Sequence, residues 1–362
     1  MSTKTQYSPQ AALNARLLQA GVSKTVYALV TPETEAAKAA IYGNLYGGDP
    51  DFGRAKHLEQ FRDAWTGKQQ ALHHAFFDRW HGWSAPVIDL QRHIFPFIYP
   101  TAGASEALRH LIYAYGNRAR AAGRTPRIHV FAGEYEGYKA YGEAAAIEVI
   151  EHDRGAWQNA AASLANGEWF FLSQPSAIDG NLWPQANAFM DLLSARAAEP
   201  NLVIDVTYVG AIPEPPAERI GASHLCVRNV VFSLSKPFGA YYDRIGGIFC
   251  REEDAGLFGN IWFKSLAALQ LGCALMQRND VFALPRKYRS IQLEHSRQAG
   301  AALGIDFKPS DVYVLATAEA AGVAADLADY LRRPPGETSA RLRVCLTPGM
   351  AGLIGTAGPV QK

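Results

Sequence analysis

Four cysteines in 362 residues, Cys226, Cys250, Cys273 and Cys345, lie far apart in apolar stretches with no paired spacing. They exclude a disulfide framework or a cysteine-based metal cluster and read as buried, reduced thiols. An excess of one charge is also missing. With 35 basic and 34 acidic side chains the formal charge is +1, which provides no field for nucleic acid or an anionic membrane. No apolar run approaches the length of a membrane span, and Met1 to Gln10 is too polar for a signal peptide, so a cytoplasmic address is the expectation. Internal repeats and low-complexity runs are absent. The composition, 48% hydrophobic and 19% charged, allows a large core and two domains.

What is present concentrates in one heptad, Ser233-Leu234-Ser235-Lys236-Pro237-Phe238-Gly239. The apolar run Asn229-Val230-Val231-Phe232 enters it, and Arg244 and the run Ile245 to Cys250 follow it. Lys236 is therefore expected at the end of a buried strand, where desolvation disfavours an ammonium charge. A neutral, nucleophilic amine next to a fixed cation suits a Schiff base with an aldehyde cofactor. The hydroxyls of Ser233 and Ser235, with Arg244, suit a phosphate. Together they point to pyridoxal 5'-phosphate.

Other stretches stand in a fixed order around the heptad. Upstream, Tyr99-Pro100-Thr101-Ala102-Gly103-Ala104-Ser105 is a small-residue loop that runs into an amphipathic helix, whose free N–H groups and positive dipole end suit an anion. His129 to Phe131 is a strand leading into an aromatic loop with Tyr135 and Tyr138. Asn201 to Val206 is a β-branched strand that delivers Asp205, Thr207 and Tyr208. Near the C-terminus, Ser339 to Thr347 alternates with period two, which sends Arg341, Arg343 and Cys345 to one face. In order and spacing these segments resemble the aspartate-aminotransferase superfamily, the fold type I pyridoxal-phosphate enzymes (class I/II aminotransferase-like).

The resemblance implies roles. Gly103, Ala104 and Ser105 would hold the cofactor phosphate through backbone N–H groups and the Ser105 hydroxyl, together with Ser233, Ser235 and Arg244. Tyr135, with Tyr138 in reserve, would stack on the cofactor ring. Asp205 would pair with the ring nitrogen and keep it protonated. Thr207 would pack on one ring face, Tyr208 would hydrogen-bond the phenolic oxygen, and Lys236 would carry the cofactor. Arg343, in preference to Arg341, would grip the substrate α-carboxylate as a bidentate fork. One departure stands out. Where the family has Asn-Pro-Thr-Gly, this chain has Gln174-Pro175-Ser176-Ala177-Ile178-Asp179-Gly180-Asn181, with Ala177 in place of the asparagine that bonds the phenolic oxygen. Gln174 or Asn181 is the candidate substitute.

Strand candidates 127–131, 147–151, 168–172, 202–206, 230–234 and 245–250 alternate with helical stretches such as Gln185 to Ala198. This predicts an α/β protein with a mostly parallel central sheet in a large cofactor domain, aspartate-aminotransferase-like, plus a smaller α+β domain, with ligands at the carboxyl ends of the strands. The expected division is an N-terminal segment, 1–50, packed with the small domain; a large domain, 51–285; and a C-terminal small domain, 286–362. After a helix from about Pro285 to Leu303, the small domain reads strand (Asp306 to Ala318), helix (Val323 to Arg332), strand (Arg341 to Leu346). The histidine- and tryptophan-bearing stretch around His73, His74, Trp80, His81 and Trp83 lacks a metal-ligand set and is assigned to a substrate pocket or subunit contact.

The functional expectation is an enzyme acting at the α-carbon of an amino acid by elimination, replacement or cyclisation. The alternative is an aminotransferase. A dicarboxylate substrate is disfavoured because Ala267 to Met276 contains no arginine. A two-fold homodimer is expected, and no nucleic-acid or membrane partner.

Overall fold

The computed structural model describes residues 9–46, 69–196, 201–263, 265–334 and 340–355. The stretch 47–68, at the expected first domain boundary, and Ala198 and Ser339 lie outside the described residues. Seven strands, β1 (Phe97–Thr101), β2 (Arg127–Phe131), β3 (Glu148–His152), β4 (Trp169–Ser173), β5 (Asn201–Asp205), β6 (Val227–Ser233) and β7 (Gly246–Cys250), form one sheet in the order β1-β7-β6-β5-β4-β2-β3. β2 to β6 are parallel. β7 runs antiparallel to β6, and β1 antiparallel to β7.

The near-continuous apolar runs of β4, β5 and β6 follow from burial on both sheet faces. Leu202 and Ile204 of β5 enter one apolar cluster, and Val203 enters the other. By the same alternation Asp205 projects on the Val203 side, as its register partner Ser173 does on β4.

Three features depart from the sequence expectation. The segment at Tyr99-Pro100 is strand β1 rather than only the approach to a loop. It is an edge strand, the place in a sheet where a proline lacking its N–H is tolerated. The single strand expected over 306–318 is two, β8 (Lys308–Pro309) and β9 (Leu315–Glu319), because Pro309, Ser310 and Asp311 turn the chain. They form an antiparallel three-stranded sheet with β10 (Arg341–Cys345), in the order β10-β9-β8.

The third departure is in the histidine- and tryptophan-bearing stretch, where His73, Trp80 and Trp83 are core while His74 is exposed and His81 half-buried. Within the Gln69–Ser84 helix, Trp80 stacks on Phe232 of β6 with ring centroids 4.2 Å apart, and Phe77 meets Phe232 and Phe249 edge-on. Trp83 donates to the Asn279 carbonyl at 2.9 Å. His73 is buried, and burial lowers its pKa to about 4, so it stands as a neutral core histidine. This helix braces the strand that carries the lysine loop, with Trp83 packed on Phe238 of that loop at 5.3 Å.

The N-terminal segment reaches both sheets. Ser23 exchanges backbone hydrogen bonds with Cys345 at the free edge of β10, and the Pro32–Tyr46 helix packs on the Leu266–Arg278 helix. Between them, Leu29 and Val30 cross the lysine loop so closely that a Cβ at Gly239 would lie 2.2 Å from the Leu29 carbonyl oxygen.

Candidate active site

The lysine loop leaves β6 at Ser233 and returns through Arg244, which is in the left-handed region at φ 52°. The half-buried Lys236 donates from Nζ to the Val26 carbonyl at 2.7 Å. Burial pushes the pKa of this amine down to about 8; Arg343 and Arg244 act in the same direction and the Cys345 thiol against it. Lys236 is therefore a weakly basic amine within reach of neutral pH, as a nucleophile requires.

At the neighbouring end of β1, the Ala104–Ala121 helix opens from Gly103. A Cβ on Gly246 would lie 2.7 Å from the Gly103 Cα, and one on Gly103 would lie 2.8 Å from Arg244 Nη2. Two glycines thus let the loop, the strand and the guanidinium meet without side chains between them. Arg244 Nη2 donates to the Ala102 carbonyl at 2.8 Å. The N–H groups of Ala104 and Ser105 have no acceptor within the helix because they lie in its first turn. The expectation for Gly103 is corrected: its N–H donates to the Thr101 carbonyl at 2.8 Å. Ser233 is corrected too. Its hydroxyl donates to Ser235 Oγ at 3.0 Å and lies 3.3 Å from the Ile245 carbonyl, so it supports Ser235 rather than facing an anion.

Asp205 is buried at the end of β5. Oδ1 accepts from the Thr207 backbone N–H at 2.9 Å and from the Thr207 hydroxyl. Thr207, expected on a ring face, therefore also orients the acid. Burial pushes the Asp205 carboxyl up to about 6 against those two hydrogen bonds. No basic side chain pairs with it among the described residues. Tyr208 is buried beside Arg343, and burial moves its phenol to about 12 with Arg343 opposing.

Of the two candidate aromatics, Tyr138 is core: it is buried, it packs on Phe171 at 5.4 Å, and its hydroxyl has no partner among the described residues. Tyr135 keeps a face open at 38% exposure and bonds the Tyr141 hydroxyl at 3.3 Å. A Cβ on Gly137 would lie 2.2 Å from the Tyr135 ring, so that glycine makes room for it.

Period two sorts the two arginines of β10 together, and the tertiary structure separates them. Arg341 joins Arg154 on the buried Asp179 carboxylate, so it is an ion-pair member. Arg343 is buried; Nη1 donates to the Ala177 carbonyl, and Nε is buried without a partner among the described residues. Burial lowers its pKa to about 10, with Arg333 acting in the same direction, which leaves it charged at neutral pH. The proposed stand-ins for the missing asparagine are occupied elsewhere. The Gln174 side chain bonds both the N–H and the carbonyl of Trp183, and Asn181 Oδ1 accepts from the Asp311 N–H. Sequence reading passed over Glu134 and Ser173, two buried polar residues hydrogen-bonded to each other at this end of the sheet. The only available signal was an acid directly before Tyr135.

No protein-family model and no curated protein sequence matches the chain. Solved structures do. Histidinol-phosphate aminotransferase from Clostridium acetobutylicum is 12% identical over 91% of this chain and 96% of its own, with a TM-score of 0.61. A mutant aspartate aminotransferase from Thermus thermophilus is 14% identical over 98% and 95%, with a TM-score of 0.62. The PLP-bound C-S lyase from Staphylococcus hominis is 9% identical over 77% and 80%, with a TM-score of 0.56. The chain has the aspartate-aminotransferase-like fold, fold type I.

Proposed function

We propose that the protein is a pyridoxal-phosphate-dependent enzyme acting at the α-carbon of an amino acid, with Lys236 as the amine that carries the cofactor. One pairing supports this above all: a half-buried amine of lowered pKa and a buried carboxyl without a cationic partner among the described residues, both at the carboxyl ends of neighbouring strands. The residues fit the cofactor. A protonated ring nitrogen is the cation that Asp205 lacks, and Thr207 holds the carboxylate toward it. Ala104 and Ser105 N–H groups, the Ser105 and Ser235 hydroxyls and Arg244 would hold the phosphate, Tyr208 the phenolic oxygen, and Tyr135 one ring face. When bound, the cofactor supplies an electron sink for the bond that breaks at the substrate α-carbon.

The other groups bind, orient and move protons. Arg343 remains charged and has an unpartnered Nε for the α-carboxylate. The Lys236 amine, with a pKa near neutrality, can take a proton at Nζ and return it. Segment 23–30 covers the lysine loop and limits water. Borohydride reduction of the loaded protein followed by peptide mass spectrometry should place the label on Lys236. A label on Lys139, or none, overturns the reading.

Within this function we favour elimination, replacement or cyclisation. With Ala177 in place of an asparagine and Gln174 and Asn181 tied elsewhere, Tyr208 is left as the donor to the phenolic oxygen, a difference of one hydrogen bond, about 1 kcal/mol. Turnover across an amino-acid panel that includes β-substituted members should then proceed without any 2-keto acid. Strict dependence on a keto acid would instead support the second reading, an aminotransferase for a non-dicarboxylic amino acid.

A further inference from the structure

Ala177 has no side chain to offer the site, yet its backbone is held from both sides. Its N–H donates to Ser173 Oγ at 2.6 Å. The Ser173 hydroxyl donates to Glu134 Oε2 at 2.6 Å, and the Ser173 N–H to Oε1 at 3.3 Å. On the other side, the Ala177 carbonyl accepts from Arg343 Nη1. All four residues are buried. The chain of contacts starts one residue before Tyr135. Because Ser173 is the register partner of Asp205 on a strand about 4.8 Å away and both project to one face, Glu134 brings a second buried carboxyl toward the end of the site that holds Asp205.

We propose that Glu134 is a positioning residue that, through Ser173 and the Ala177 backbone, seats Arg343 for the α-carboxylate of the substrate. The proposal rests on the carboxylate role given to Arg343 above. Its physical basis is the donor count. An ionised Glu134 accepts both Ser173 donors and leaves the Ser173 oxygen free to receive the Ala177 N–H. A neutral Glu134 has a proton of its own to place in a dry pocket, and the Ser173 oxygen is its nearest acceptor. That proton reverses the Ser173–Glu134 hydrogen bond, so the Ser173 hydroxyl must turn its own proton to another acceptor, which shifts the Oγ lone pair holding the Ala177 N–H and loosens the carbonyl on which Arg343 rests. Burial pushes Glu134 up to about 7, the Asp205 charge adds to the rise, and Ser173 and Arg154 oppose it. Tyr138 and Tyr208 are the other titratable groups that feel Glu134.

Propionate, a bare carboxylate, is the probe, titrated calorimetrically into the cofactor-loaded protein at pH 6 and pH 8. Its wild-type affinity should rise between the two values, although both propionate and Arg343 stay charged throughout. Glu134→Gln should abolish that rise, and Ser173→Ala should weaken binding at pH 8 about fivefold, the factor equivalent to one hydrogen bond of about 1 kcal/mol. In the apoprotein, the nitrogen-15 resonance of Arg343 Nε should titrate near pH 7 in wild type and not in Glu134→Gln. A flat wild-type resonance, or a pH-dependent affinity that survives in Glu134→Gln, overturns the proposal. Arg343→Met separates the two levels. If it binds propionate like wild type, the carboxylate role of Arg343 is wrong and the proposal falls with it. If it loses propionate while Glu134→Gln and Ser173→Ala behave as wild type, only the role of Glu134 is wrong.

Discussion

Asp205 and Glu134 are buried acids raised to about 6 and about 7, and Lys236 is an amine lowered to about 8. Each shift makes the apoprotein's stability depend on pH. For the acids, the native state holds protons that the unfolded state has released between about pH 4 and 7, so stability falls as pH rises through that window. For Lys236, the native state is the less protonated between about pH 8 and 10.5, and stability recovers as pH rises there. The apoprotein should therefore be least stable near pH 7 to 8. Asp205→Asn removes one contribution and should raise apoprotein stability at pH 7.5 by about 3 kcal/mol, with little change at pH 4; thermal melts at the two pH values check it. The same residue should be needed for function. Asp205→Ala, loaded with cofactor through the phosphate cradle, should lose α-hydrogen exchange by a factor on the order of a hundred, about 3 kcal/mol. Unchanged exchange would remove Asp205 from the mechanism.

The proposed phosphate cradle depends on how closely β1, β6 and β7 approach one another where they meet, and glycine sets that approach. Gly246→Ala places a methyl group against the Gly103 backbone, which cannot swing away as a side chain could. Cofactor affinity should fall at least tenfold by equilibrium dialysis while far-ultraviolet circular dichroism is unchanged; wild-type affinity would show that the cradle tolerates displacement. The helix beneath β6 tests the opposite case, packing far from the chemistry. Trp80→Ala removes the ring stacked on Phe232, four residues before Lys236. It should destabilise the protein by about 3–5 kcal/mol in urea titrations. These contacts also explain why the buried side of 73–83 was not legible in the sequence. Histidines and tryptophans on one helix read equally as pocket or as core, and only the rings facing them on β6 and β7 decide.

Across the whole molecule, two pairs of exposed aromatics stand out: Tyr242 at 76% with Tyr241 at 49%, and Phe258 at 57% with Trp262 at 43%. Tyr241 and Tyr242 flank Arg244 and the lysine loop. Monomers seldom expose aromatic surface of this kind, and with the resemblance to the aspartate-aminotransferase superfamily it supports the proposal of a two-fold dimer that covers the cofactor loop. Light scattering should give twice the chain mass, and Tyr242→Glu should shift the equilibrium toward monomer with loss of cofactor. A fully active monomer would contradict the dimer.

The sequence by itself determined the order of the site: a lysine after a buried strand, an acid three residues before a tyrosine, a glycine-containing loop at a helix start, and arginines in an alternating strand. These are local signals, set by covalent spacing and by the periods of strands and helices, and the mostly parallel sheet follows from them. Contacts distant in sequence decided the rest. Arg341 and Arg343 share a face of β10, and only Asp179 and Ala177, contributed by the loop after β4, send one to an ion pair and the other to the site. Ser233 and Gly103 carry the expected groups, but turn hydrogen bonds consume them. Glu134 was illegible because its meaning lies in Ser173, 39 residues away, and in the register that sets Ser173 beside Asp205. Burial gives a carboxyl its abnormal pKa, and burial is a property of the folded chain alone.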